Sequence, residues 1–118
     1  MTYPDNMDAE CVPLCGALNT IPGVETRESC CGHGADALRV WFRVTPEAVP
    51  PVLVALAKLV ATNYCGHPFD LLIEDTGDGG IIGPVGNLTL CFRSWRRGER
   101  AYKDADKLAA DIRRETER

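Results

Sequence analysis

Residues 38–44 read Leu38-Arg39-Val40-Trp41-Phe42-Arg43-Val44, and their alternation decides the fold. Leu38, Val40, Phe42 and Val44 share one face of an extended strand, while Arg39, Trp41 and Arg43 share the other. Such a strand packs against a layer on one side and leaves the other uncovered. The same period reads residues 88–96 as a strand, with Leu88, Leu90 and Phe92 facing one way and Asn87, Thr89, Cys91, Arg93 and Trp95 the other. Two more strands are expected, over Val24 to Cys30 and over Phe69 to Asp75, the latter with Phe69, Leu71 and Ile73 inward.

Helical patterns fill the intervals. Met7, Cys11, Leu14, Cys15 and Leu18 form one stripe, so a helix is predicted from about Glu10, with Pro13 in its first turn where a missing N–H matters least. Pro22-Gly23 is a turn pair. Thr45-Pro46-Glu47 is a start signal, and the regular part of a second helix is predicted over Pro50 to Asn63, apolar almost all round as a central packed helix is. A last helix, about Tyr102 to Glu115, carries Ala105, Leu108, Ala109 and Ile112 on one face, with Asp104 and Asp106 near its start and Arg113 and Arg114 near its end, as the macrodipole favours. Thr76 to Asn87, with five glycines, reads as a long hairpin loop. The order α-β-β-α-β-β-α predicts a single α+β domain over residues 1–118. It is a two-layer fold, a mainly antiparallel four-stranded sheet with helices on one face.

At 118 residues, 45% hydrophobic and 25% charged, the chain has the balance of a folded domain and lacks the length for a doubly wound dinucleotide-binding or methyltransferase sheet. The net charge of −4 hides an asymmetry: residues 1–92 hold four basic and eleven acidic side chains, residues 93–118 nine basic and six acidic. An acidic chain is a poor binder of duplex nucleic acid, which needs a basic footprint. A small anionic ligand held by a few Arg forks remains open, and ten of the thirteen cations are Arg. Met1 to Glu10 has no basic n-region or apolar h-region, and the apolar run Val52 to Thr62 is far short of the ~20 residues that span a bilayer. A cytoplasmic protein without membrane attachment is expected, and its six Cys read as thiols or metal ligands before disulfides.

Ser29-Cys30-Cys31-Gly32-His33-Gly34 has the Cys and His density of a zinc site, to which Cys11, Cys15, Cys65 and His67 could add ligands. The spacing contains no C-x-x-C knuckle, and Cys11 and Cys15 fall on the apolar stripe, where a free Cys acts as a small hydrophobe. No metal and no cofactor are expected. A nucleophilic Cys31 or Cys30 beside His33 and near Arg27 is a second reading, with no third orienting group in view. Cys31-Gly32-His33 recurs as Cys65-Gly66-His67. Leu72 to Gly80 imitates the strand, acid and glycine turn of a nucleotide-binding loop, but residues 81–87 break the helix that should follow. The strongest candidate is the uncovered sheet face. Arg39, Arg43 and Arg93 would hold phosphates, Trp41 or Trp95 would stack a base, and Asn87 with Ser29, Cys31 and His33 would read polar edges. The same residue types also suit a homo-oligomer interface, and a pocket between subunits would satisfy both readings.

From Leu18 to Phe42 the chain resembles small uncharacterised proteins of phages and prophages: Leu-Asn-x-Ile-Pro-Gly-Val-x-Thr, then Ser-Cys-Cys-Gly-His-Gly, then an apolar-aromatic strand. Through Glu28, Ser29, Cys30, Cys31, Gly32 and His33 it is distantly similar to the Ser-Ser-Cys-Ser-Gly-Arg loop of the wybutosine-synthesis methyltransferase-like family, differing at Glu28, Cys31 and His33. That similarity implies tRNA or nucleotide modification near Cys31 and His33. By size, architecture and site chemistry the chain also looks like phage sponge proteins of the Thoeris anti-defence type, oligomers that bind cyclic-nucleotide or cyclic ADP-ribose signals without cleaving them. The expected function is therefore non-enzymatic sequestration of a phosphate-bearing nucleotide-type small molecule by a homo-oligomer, with no catalytic residue assigned. A modifying enzyme using the Cys/His loop and a zinc-stabilised interaction module are the alternatives.

Overall fold

A computed structural model describes residues 8–60, 66–74, 82 and 86–116. A 3-10 turn over Ala9–Cys11 leads into helix α1 (Val12–Leu18), with Pro13 in its first turn as the sequence requires. Strands β1 (Val24–Cys30) and β2 (Ala37–Val44) follow, then a 3-10 turn at Pro46–Ala48 and helix α2 (Val49–Ala57). Strands β3 (Phe69–Ile73) and β4 (Leu88–Arg97) and helix α3 (Glu99–Thr116) complete the chain. The four strands form one antiparallel sheet in the order β1-β2-β4-β3, and the fold is the α+β arrangement read from the alternation.

The core lies between the sheet and its helices. Leu38, Val40, Phe42 and Val44 of β2 and Leu90 and Phe92 of β4 are buried against Leu14, Cys15 and Leu18 of α1 and Ala105, Leu108 and Ile112 of α3. Phe92 sits 5.5 Å from Phe42 and 6.0 Å from Phe69, the second pair edge to face, so three strands meet through three rings.

Two irregularities set which side chains turn outward. In β1 the register shifts between Thr26 and Glu28, leaving Arg27 as the extra residue of a bulge. Thr26 and Ser29 therefore both fall opposite core-facing positions of β2, an odd spacing that plain alternation forbids. In β4 the register shifts beyond Arg93, and the buried Ser94 hydroxyl repairs the gap by accepting from Leu38 N–H at 2.9 Å and donating to the Arg96 carbonyl at 2.7 Å.

Three expectations need correction. Helix α2 ends at Ala57, short of Asn63, whose own position lies outside the described residues with the rest of 61–65. It is not centrally packed either: Val52 and Leu56 are buried but Val54 is 57% exposed, because α2 offers the core one flank only. Ile73 has the inward parity expected of it yet is 60% exposed, lying at the end of an edge strand with no cover among the described residues. The loop expected over Thr76 to Asn87 falls mostly outside the described residues.

Deleting the ring that joins the strands should be costly. Phe92→Ala is expected to lose about 3–5 kcal/mol of unfolding free energy. Trp95→Ala, at a side chain on the open face, should lose no more than about 1 kcal/mol. Urea denaturation of the two variants checks the contrast.

Candidate functional site

The face of the sheet away from the helices is built from cross-strand rows about 7 Å apart along the strands. The first row is Cys30, Arg39, Arg93 and Asp70, each opposite the next. The second is Glu28, Trp41, Cys91 and Leu72, and the third begins Glu25, Arg43, Thr89. Arg39, Trp41, Arg43, Arg93 and Trp95 thus share the outer face, as the alternation of β2 and β4 requires.

Like charges directly opposite on neighbouring strands repel, and Arg39 faces Arg93 with one carboxylate in their row. Asp70 accepts from Arg93 at 3.2 Å with one oxygen and from the Trp95 indole N–H at 2.8 Å with the other. It locks a guanidinium and a ring side by side, although Trp95 remains 53% exposed. The Arg39 guanidinium lies 5.3 Å from the Trp41 ring centroid, a cation–π contact. The Arg39 Nε, the Trp41 indole N–H and the Thr89 hydroxyl are buried without a hydrogen-bond partner among the described residues. Cys91, on the same face, is fully buried, and burial pushes its thiol up to about 12.

At the hairpin end of this face, Asp36, Ala37, Arg39, Arg93, Ser94, Trp95 and Arg97 line a cleft of about 440 Å³. Arg97 enters because the β4 irregularity sets it opposite Ala37. Arg96 turns to the helical side, where it donates two hydrogen bonds to the buried Asp104 of α3, one of them at 2.8 Å. That pair joins sheet to helix and takes no part in the cleft.

The remaining site residues separate. Ser29 faces the helices beside Cys11 and Cys15, whose thiols are pushed up to about 12 and about 11, chiefly by burial. Asn87 precedes β4 at the far end of the sheet from Arg39 and Arg93. Cys31 and His33 occupy the turn between β1 and β2, and there the structure adds Asp8, whose Oδ2 accepts from Cys31 N–H at 2.9 Å. That bond holds the Asp8 carboxyl below the ordinary carboxylate range, while burial pushes the Cys31 thiol up. His33 Nδ1 lies 3.7 Å from the Cys31 sulfur. The second Cys-Gly-His tripeptide does not join them: His67 Nε2 pairs with Asp111 of α3 at 2.6 Å, and Cys65 lies outside the described residues.

Sequence reasoning missed Asp70, Arg97 and Asp8. Asp70 was available from parity, since it alternates with the inward Phe69 and Leu71. Arg97 depends on the β4 irregularity, and Asp8 on a tertiary approach across 23 residues. Comparison with family models, with curated proteins and with solved structures finds no match. Among the described residues no helix is long and apolar enough to cross a membrane.

If Asp70 positions Trp95, Asp70→Ala should move the Trp95 indole N–H resonance towards that of a free indole and speed its exchange with water. Stability should change by only about 0–1 kcal/mol, because the ion pair is half-exposed. Nitrogen-edited NMR, with Trp95→Phe to assign the signal, reads the first effect, and a urea melt the second.

Proposed function

We propose that the outer sheet face binds a phosphate-bearing, nucleotide-type small molecule and retains it without altering it. The observation that carries this reading is the cleft in which Arg39, Arg93 and Arg97 converge beside the half-exposed Trp95 ring. Facing guanidinium groups repel until an anion sits between them, and the Arg fork matches phosphate oxygens bidentately. The ring beside them offers a stacking plane for a base.

Retention without chemistry is favoured by what the face offers a reaction. Its guanidinium groups stay protonated near neutral pH and cannot serve as bases. Cys91 is a buried thiol far from ionising at that pH, and Asp70 is engaged by both Arg93 and Trp95. Other carboxylates at this face, such as Glu28 on β1 and Asp36 at the cleft, are exposed to water. The expected biological role is sequestration of a nucleotide-type signal, as in the sponge proteins the chain looks like. A symmetric homo-oligomer would place the same face between subunits.

Calorimetry against cyclic nucleotides and ADP-ribose derivatives tests the proposal. Arg39→Ala and Arg93→Ala should each cost about 1.5–3 kcal/mol, on the order of ten- to more than hundredfold in affinity, with the loss shrinking as salt rises. Trp95→Ala should weaken binding by a similar amount with little salt dependence, and Lys58→Ala should not. Mass spectrometry should recover the ligand intact after heat release. Absence of binding across the panel, or an altered ligand, would overturn the reading. Light scattering at the mass of one chain across micromolar concentrations would remove the shared-pocket form of it.

A further inference from the structure

We infer that Asp8, Cys31 and His33 form a binding site for a single zinc-class divalent cation, with a fourth coordination position open to solvent. The site lies at the β1–β2 turn, apart from the Arg-lined cleft, and the inference does not rest on the function proposed for that cleft.

The geometry is close to what such an ion demands. A carboxylate oxygen, a sulfur and an imidazole nitrogen lie within 4.8 Å of one another. Tetrahedral zinc, with bonds of about 2.3 Å to sulfur and about 2.0–2.1 Å to nitrogen, separates those two ligand atoms by about 3.6 Å. Cys31 Sγ and His33 Nδ1 are already 3.7 Å apart. The donor set of one soft sulfur, one nitrogen and one oxygen suits zinc and disfavours magnesium or calcium, which take oxygen ligands. His33 is exposed and Asp8 half-buried, so an ion could enter from solvent and keep a water as its fourth ligand.

The turn holds His33 on left-handed backbone. Gly32, His33 and Gly34 have φ of +80°, +52° and +83° in succession. Left-handed backbone suits the two glycines, but a side chain adopts it rarely, and His33 is the one non-glycine with positive φ among the described residues. An added Cβ on Gly32 would meet the Ala37 carbonyl oxygen at 2.8 Å, so the turn is pressed against the start of β2. A strained residue that carries a ligating ring at its tip is placed for its side chain.

The surroundings orient the ligands without a metal. Cys31 N–H fixes one oxygen of Asp8, and His33 N–H points at the Cys31 sulfur at 3.3 Å. The Tyr102 hydroxyl of α3 lies beside the same sulfur and beside Gly34 N–H. Outer partners of this kind set ligand direction in metal sites. Binding exchanges the thiol proton for the cation: the S–H bond breaks, an S–metal bond forms, and the proton goes to solvent.

The test is titration of the reduced, chelator-stripped full chain with cobalt(II), followed by displacement with zinc. One equivalent should produce the intense visible bands of tetrahedral cobalt with a thiolate-to-cobalt charge-transfer band, and zinc should remove both. Cys31→Ser should abolish the charge-transfer band. Asp8→Asn should weaken cobalt binding on the order of tenfold or more. His67→Asn, at the other Cys-Gly-His tripeptide, should leave the spectrum unchanged. His33→Gly guards against a variant that merely misfolds. It relieves the left-handed strain, so it should melt no lower than the wild type while losing tetrahedral cobalt. No tetrahedral spectrum from the wild type, a charge-transfer band that survives Cys31→Ser, or full cobalt affinity in a folded His33→Gly would each overturn the inference.

Discussion

Phe42, Phe69 and Phe92 come from three different strands and meet beneath the sheet at ring separations of 5.5 and 6.0 Å. Their packing is the constraint on which the other face depends. A slip of one residue in β2 or β4 would carry Arg39, Arg43 or Arg93 into the apolar layer, where an unpaired charge costs several kcal/mol. Apolar contacts on the inner side thereby decide that Arg39 stands opposite Arg93, and Arg93 opposite Asp70. The outer charges do not hold this arrangement together; they are imposed on one another by rings they never touch.

How much of this was legible depends on whether the signal was local. The alternation in β2 is visible in seven residues and put Arg39, Trp41 and Arg43 on the correct face. Helix α3 was equally readable from Ala105, Leu108 and Ile112, all buried. The Arg27 bulge was not, because an inserted residue leaves no mark on a hydrophobic pattern until its partner strand is known. Composition misled at α2, where apolar residues all round suggested a central helix and the core takes Val52 and Leu56 while Val54 faces out. Of the site, Arg39, Arg93 and Trp95 could be read; the face of Asp70 follows from parity but its partners needed strand pairing, and Arg97 needed the β4 irregularity. Asp8 needed the chain to fold back on the β1–β2 turn.

That turn connects the two candidate sites. Cys31 and His33 lie on its helical side with Asp8, and a few residues on, Asp36 and Ala37 line the Arg cleft. Gly32 is pressed against Ala37, so the two stretches meet backbone to backbone. The Arg96–Asp104 pair ties the adjoining end of β4 to α3, which also supplies Tyr102 to the Cys31 sulfur. The hairpin end of the sheet is thus braced from the helical layer and carries its polar chemistry on both sides.

The other notable tie lies at the outer margin of β1. Asn19, just past α1, accepts from Thr26 N–H at 2.9 Å and donates to the Thr26 hydroxyl at 2.9 Å. An outermost strand ordinarily presents such N–H groups as a template for another chain. Here one is occupied by a side chain, the neighbouring bulge twists the strand at Arg27, and Glu25 and Glu28 add charge. This margin is a poor template for a further strand. Edge-to-edge stacking of copies along the hydrogen-bonding direction is disfavoured on that side, which leaves the broad surfaces of the molecule as the better ground for association.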